Sequence, residues 1–326
     1  MLRLYGCYLI AFFLIAGRAS GQELFPMTEP ASNTPAKGTL GIRFFSETYN
    51  EIDQVRNLFA LKITYGLTPR LTIAATPNVS NHHSRTLPQE FPDHNTPQIG
   101  VYHPYLFNGV DCYAKYRFLS LDGENNHFRA ALYGEYAYLK TAHDEAEPTL
   151  LDDTKGYGGG VITTYLNHHF ATSFTGGFII PSVYYGSIPD LISSLPSLNA
   201  KVIYGDGYNY DLSFGYLLFP AEYKSYDQTN WNVYMEFLGK SYNAAEVQVA
   251  TLQNPNSYYT INNINNHALK AGHYIEAYPG LQSIIKSNLR IDFSVGFPIL
   301  DKAYVHFYPV YNVGIQRYFF FKHKRK

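Results

Sequence analysis

The residues of this chain whose types and spacing suit chemistry are Arg43, Lys62, Asp111, Tyr113, Lys115, Arg117, Arg129, Glu135, Tyr234, Glu236, Glu276, Arg290 and Asp292. Many of them recur at a spacing of two. Asp111, Tyr113, Lys115 and Arg117 alternate with Cys112, Ala114, Tyr116 and Phe118. Tyr234 and Glu236 alternate with Val233, Met235 and Phe237, and Arg290 and Asp292 with Leu289, Ile291 and Phe293. In an extended strand such a period puts one set on one face and the second set on the other. A wet face of mixed charge and tyrosine hydroxyls can line a pore that sorts solutes by charge and hydrogen bonding. It can equally fill a narrow interior as a satisfied polar network. Glu47, Tyr133, Asp211, Tyr274 and Tyr278 fall on the same face, and the tyrosines offer stacking surfaces for sugars or aromatic solutes. The mixed signs argue against strong selectivity for anions or for cations.

Other chemistry is thinner. His82, His83, His94 and His103 share one loop with Glu90 and Asp93. Imidazole with carboxylate suits zinc, copper or nickel, but the spacing matches no metal motif, and a solvated loop is the plainer account. Asp144, Glu145, Glu147, Asp152 and Asp153 make an acidic loop that could meet lipopolysaccharide through divalent cations. No Gly-x-Ser-x-Gly, His-Glu-x-x-His or phosphate-cradling loop is present. Catalytic residues, cofactors and a metal centre are therefore not expected. A Ser/His lipid hydrolase on the barrel wall would need no sequence motif, so a lipid-modifying enzyme stays open as an alternative. A closed structural or adhesive barrel is the other.

Strands must position these residues. The alternation predicts about twelve of them, over 38–48, 55–66, 70–79, 109–119, 128–141, 156–166, 170–181, 205–219, 229–239, 272–285, 288–298 and 306–320. Each is close to the length a tilted membrane strand needs. Most connections alternate short and long, with 49–54 and 299–305 as short exceptions, as in membrane barrels with tight periplasmic turns and extended outer loops. Aromatics gather near the turn-side strand ends, at Tyr65, Tyr116, Phe118, Tyr165, Tyr216, Phe219, Phe319 and Phe320, and suit an interfacial girdle.

Composition agrees. Charged residues are 16% of the 326, below the usual quarter of soluble domains. Mean hydropathy is −0.21, far below that of a helical membrane protein but natural where only alternate residues are apolar. A net charge of −1 gives no basic field to draw nucleic acid. Arg3, the apolar run Leu4 to Ala16 and Ala19-Ser20-Gly21 read as a signal peptide over 1–21. Residues 22–37, with Pro26, Pro30 and Pro35, read as a periplasmic lead-in or a plug, the lead-in being the plainer choice. The barrel then covers 38–321, and a basic tail covers 322–326.

Several stretches resemble a known group of proteins. They are Glu29 to Lys37, Tyr65-Gly66-Leu67-Thr68-Pro69-Arg70, Leu218-Phe219-Pro220, Tyr226 to Asn230, Tyr278-Pro279-Gly280-Leu281-Gln282 and Ser287-Asn288-Leu289-Arg290. Together they resemble transporter-type outer-membrane β-barrels of Bacteroidetes-type bacteria, and more loosely the MetA-pathway (aromatic degradation) barrel family. The resemblance implies an outer-membrane address and small-molecule passage, and it brings no functional residue with it. The usual terminal aromatic of such barrels is followed here by Lys322 to Lys326. The expectation is an all-β, transmembrane, antiparallel up-and-down barrel in the outer membrane of a Gram-negative cell, acting as a channel or transporter for small polar or aromatic solutes. Its expected partners are outer-membrane lipid and lipopolysaccharide, small solutes and the barrel-insertion machinery.

Overall fold

The computed structural model describes residues 24–321 apart from 29, 32, 52–53, 82–102, 140–154, 189–197, 223–224, 226, 252–253, 262–268 and 304–307. The acidic loop, the leader, the basic tail and His82, His83 and His94 lie outside the described residues.

The strands, in chain order, are β1 (Thr39–Glu51), β2 (Gln54–Gly66), β3 (Leu71–Ser80), β4 (Leu106–Asp122), β5 (Asn126–Leu139), β6 (Gly156–Asn167), β7 (Phe170–Pro181), β8 (Tyr184–Ile188), β9 (Leu198–Ile203), β10 (Gly207–Phe219), β11 (Thr229–Tyr242), β12 (Glu246–Thr251), β13 (Asn254–Ile261), β14 (Gly272–Ile285), β15 (Leu289–Lys302) and β16 (Val310–Phe320). Twelve of them close an antiparallel barrel, in the order β1-β16-β15-β14-β11-β10-β7-β6-β5-β4-β3-β2. Each overlaps one of the twelve spans expected from the alternation. Closure is made by β1 against β16, from Thr39 opposite Phe320 to Thr48 opposite Tyr311.

Tight turns sit at the end that holds Thr39 and Phe320, here the turn end. Between β14 and β15, Lys286 and Ser287 have φ of 51° and 50°, and the Asn288 amide donates to the Ile285 carbonyl over 3.1 Å. Two successive positive φ values match the right-handed twist of the flanking strands. The opposite end carries the long connections and is the loop end. Two of these connections hold a second sheet that the alternation reading did not place, in the order β13-β12-β9-β8. Its apolar face joins Ala200 and Val202 to Val247 and Val249, with Tyr204 and Leu269 over them.

The barrel is inside-out relative to a soluble protein. Phe44, Leu61, Leu132, Phe174, Trp231, Phe293 and Val313 are exposed on its outer face. Arg43, Lys115, Glu236, Glu276 and Asp292 are buried within. Burying polar groups while leaving large hydrocarbon side chains outside costs free energy in water and is favourable in a bilayer. The wall therefore spans a membrane. Of the turn-side aromatics, Tyr65, Tyr116, Phe118, Tyr165, Tyr216 and Phe219 are exposed, whereas Phe319 and Phe320 are half-buried.

Candidate functional site

The lumen is the site, and its parts are fixed by strand register. On β15, Arg290 and Asp292 face inward. Arg43 of β1 reaches Asp292 across the intervening β16 with two parallel bonds, Nη1 to Oδ2 and Nη2 to Oδ1, both 2.9 Å. The residue it crosses is Gly314, paired with Asp292 in the ladder. A Cβ there would stand 2.6 Å from Arg43 Nη2 and 2.7 Å from Asp292 Oδ1. Any other residue at 314 would push the fork apart. Arg290 Nε lies 3.2 Å from Asp292 Oδ2, so one carboxylate serves two guanidiniums. Geometry of this kind lets a buried ion pair offset its desolvation.

Of residues 22–37, for which the sequence admits a lead-in or a plug, the described ones from 24 to 35 lie inside the barrel. Glu236, fully buried on β11, accepts the Thr28 amide at 2.9 Å, the Thr28 hydroxyl at 3.0 Å and the Met27 amide at 3.2 Å. The Thr28 hydroxyl is also 3.0 Å from the Ser213 hydroxyl on β10. Lys115 donates to the Pro30 carbonyl at 2.8 Å, and the Ala31 amide donates to Thr164 at 2.8 Å. Tyr318 donates to Asn33 at 3.4 Å, near the turn end. Apolar contacts supplement these bonds. Phe25 packs with Ala171 and Tyr234, Met27 joins Tyr49, Leu238 and Tyr278, and Ala31 joins Ala131 and Ile162.

A tyrosine platform lines the wall beside this segment. Tyr113 on β4 stands opposite Glu135 on β5. The Tyr113 and Tyr133 rings stack with centroids 5.7 Å apart and planes 20° from parallel. Tyr133 lies over Gly160 and Gly177, whose missing side chains leave room for it, and its hydroxyl pairs with Asn209 of β10. Lys62 Nζ stands 5.6 Å from the centre of the Tyr113 ring. Asp111 lies in the field of Lys62, and Glu135 in that of Asp111, Asp211, Lys62 and Lys240.

The remaining sequence-selected residues spread around this frame. Tyr234 donates to the Phe293 carbonyl at 3.2 Å. Glu276, fully buried, accepts from Tyr278 at 2.9 Å and from Tyr308. Arg117 donates to the Pro69 carbonyl and Arg129 to Asp122, both at the turn-end rim. His103 is buried with Nε2 3.3 Å from Arg56 Nη2, a contact that ties the loop to β2. Among the described residues no three metal-capable side chains come together. Sequence reading did not single out Thr28, Thr164, Asn209, Ser213 or Gly314. Thr28 and Glu236 are 208 residues apart, and no local pattern joins them.

No protein-family model and no curated protein matches the chain. Among solved structures it is similar to the COG4313 outer membrane channel from Pseudomonas putida F1, at 14% identity and TM-score 0.48, over 91% of this chain and 100% of that one. It is also similar to the Pseudomonas putida toluene transporter TodX, at 10% identity and TM-score 0.43, over 93% and 95% of the two chains. A third likeness is to the Ralstonia pickettii toluene transporter TbuX, at 11% and 0.40, over 94% and 96%. At these identities no site residue carries across.

Proposed function

We propose that this chain is an outer-membrane channel for small polar or aromatic solutes, with residues 24–35 as an internal plug. The loop end faces outward and the turn end faces the periplasm. The leader and the barrel-insertion machinery deliver it there, and the apolar wall contacts outer-membrane lipid and lipopolysaccharide.

The observation that carries this reading is the way Glu236 holds the segment. A buried carboxylate bound to Met27 and Thr28 anchors the segment chiefly through polar contacts in mid-lumen. Such hydrogen bonds contribute about 0.5–1.5 kcal/mol each, and water can replace them once the segment moves. A segment welded in by a large apolar core would have no such exchange partner. The lumen lining left behind is polar, aromatic and of both signs, which suits passage of solutes that must leave as readily as they arrive.

The test is ion conductance in a planar bilayer. The wild-type protein is expected to show brief, partial openings in potassium chloride. Glu236→Gln, in which one of the two acceptor oxygens becomes a donor, is expected to open more often and for longer. Silence from both proteins, each shown to be folded, overturns the channel. The occupied lumen would then favour the closed structural barrel.

A further inference from the structure

We infer that the loop-end half of the lumen holds a subsite for small organic cations that carry a protonated amine beside a flat hydrocarbon group. Asp111, Tyr113 and Glu135 form it, with Tyr133 as its platform. The inference rests on the channel reading and names the solute class that the channel takes first.

Asp111 is only 8% exposed, and its Oδ1 has no hydrogen-bond partner among the described residues. The Tyr113 hydroxyl is buried and equally without a partner among them. A buried acceptor left unsatisfied costs as much as its lost hydration. These two groups sit two residues apart on one face of β4, and both are aimed inward. Across the ladder from Tyr113 stands Glu135. Asp111 and Glu135 thus bring two carboxyls beside the Tyr113 ring from neighbouring strands. A protonated amine there would give the Asp111 oxygen and the Tyr113 hydroxyl the donor they lack among the described residues.

The aromatic geometry points the same way. Tyr133 is held against the wall by Asn209, so its ring is preorganised, and Tyr113 stacks on it. Lys62 already sets an ammonium over the Tyr113 ring. The chain's own side chain thus occupies the kind of position an organic cation would take, through charge and ring quadrupole together. A neutral aromatic would use the ring and leave the Asp111 oxygen without a donor. An anion would be repelled.

The experiment titrates the purified, full-length barrel in detergent by calorimetry, with folding verified by heat-modifiable gel mobility. The probes are 2-phenylethylammonium, 2-phenylethanol and 3-phenylpropionate, which share a ring and differ in charge. The ammonium is expected to bind at least about tenfold more tightly than the alcohol, with the carboxylate weakest. Asp111→Asn should reduce the ammonium to the affinity of the alcohol. Should that variant fail to fold, Glu135→Gln carries the same test. Asp122→Asn, at the turn-end rim, should change nothing. Equal affinity for the three probes, binding of none, or full ammonium affinity in both lumen variants overturns the subsite. Salt conductance is scored separately. A barrel that conducts but ignores the ammonium keeps the channel and loses the subsite, and one that binds it without conducting does the reverse.

Discussion

The two halves of the lumen are built on opposite charge. Toward the loop end, Glu47, Asp111, Glu135, Asp211 and Glu276 face inward, with Lys62 and Lys240 as inward cations beside them. Toward the turn end, Arg43, Lys115, Arg117, Arg129 and Arg290 dominate. Asp292 is the buried carboxylate among them, and it is gripped by Arg43 and Arg290. The halves also differ in what satisfies the charges. Near the turn end the cations are spent on structure: one fork, two rim contacts and the Pro30 carbonyl. Near the loop end an acceptor of Asp111 and the hydroxyl of Tyr113 have no hydrogen-bond partner among the described residues, as Thr72 Oγ1 and Gln316 Oε1 have none near the turn end. The lesson is that total charge says little about a pore. The overall balance is near zero, yet carboxyls line the lumen toward one end and cations toward the other.

The largest expected effect comes from breaking the turn-end fork. Asp292→Ala leaves two buried guanidiniums facing one another and should destabilise the barrel by about 3–5 kcal/mol, read from denaturant unfolding of the reconstituted protein. Phe293→Arg, on the lipid side of the same strand, tests the other face of the wall. Phe293 is 44% exposed on the outside, and the change should cost about 2–4 kcal/mol at mid-bilayer depth. If Phe293→Arg were silent, the inside-out assignment would be wrong.

A smaller effect is expected from the rims. Arg117→Gln with Arg129→Gln should shift the reversal potential under a salt gradient toward cations, because a narrow lumen screens charge poorly. Asp111→Asn should shift it the other way. The same direction from both would erase the contrast between the halves.

The smallest effect lies in the loop-end sheet, outside the barrel. Hydrogen bonds from Gln248 and then Thr260 hold the Glu246 carboxyl below its ordinary value. A carboxyl depressed in the folded state adds stability that is present above its unfolded value and lost as pH falls through the folded one. Amide exchange in β13 should therefore quicken modestly under acid, and Glu246→Gln should remove the pH dependence.

Much of the frame was legible in the sequence because a strand's period of two is a local signal. Val233, Met235 and Phe237 against Tyr234 and Glu236 declare two faces within five residues. The strand ends were less legible. β4 runs Leu106–Asp122 rather than 109–119, because a bulge near Arg117 carries the pairing on to Asp122 opposite His127. In the second sheet, Val247 and Val249 do alternate, but over a strand of six residues inside a long connection. The lumen's contents were only half legible, since residues 22–37 read as a lead-in or a plug with the lead-in the plainer choice. Whether a proline-bearing segment enters the barrel depends on Glu236, Lys115 and Thr164, brought together only by closure. Gly314 looks like any small strand residue until register sets it between Arg43 and Asp292.

The central claim is that residues 24–35 control passage, and one crosslink tests it most directly. The Thr28 and Ser213 hydroxyl oxygens are 3.0 Å apart. A Thr28→Cys, Ser213→Cys protein, with Cys112 replaced by Ser, can be oxidised to tie the segment to β10 and then reduced in the same bilayer. The account predicts a silent oxidised barrel that begins to conduct when a reductant is added. Equal conductance before and after reduction, with the disulfide verified by mass, would contradict it.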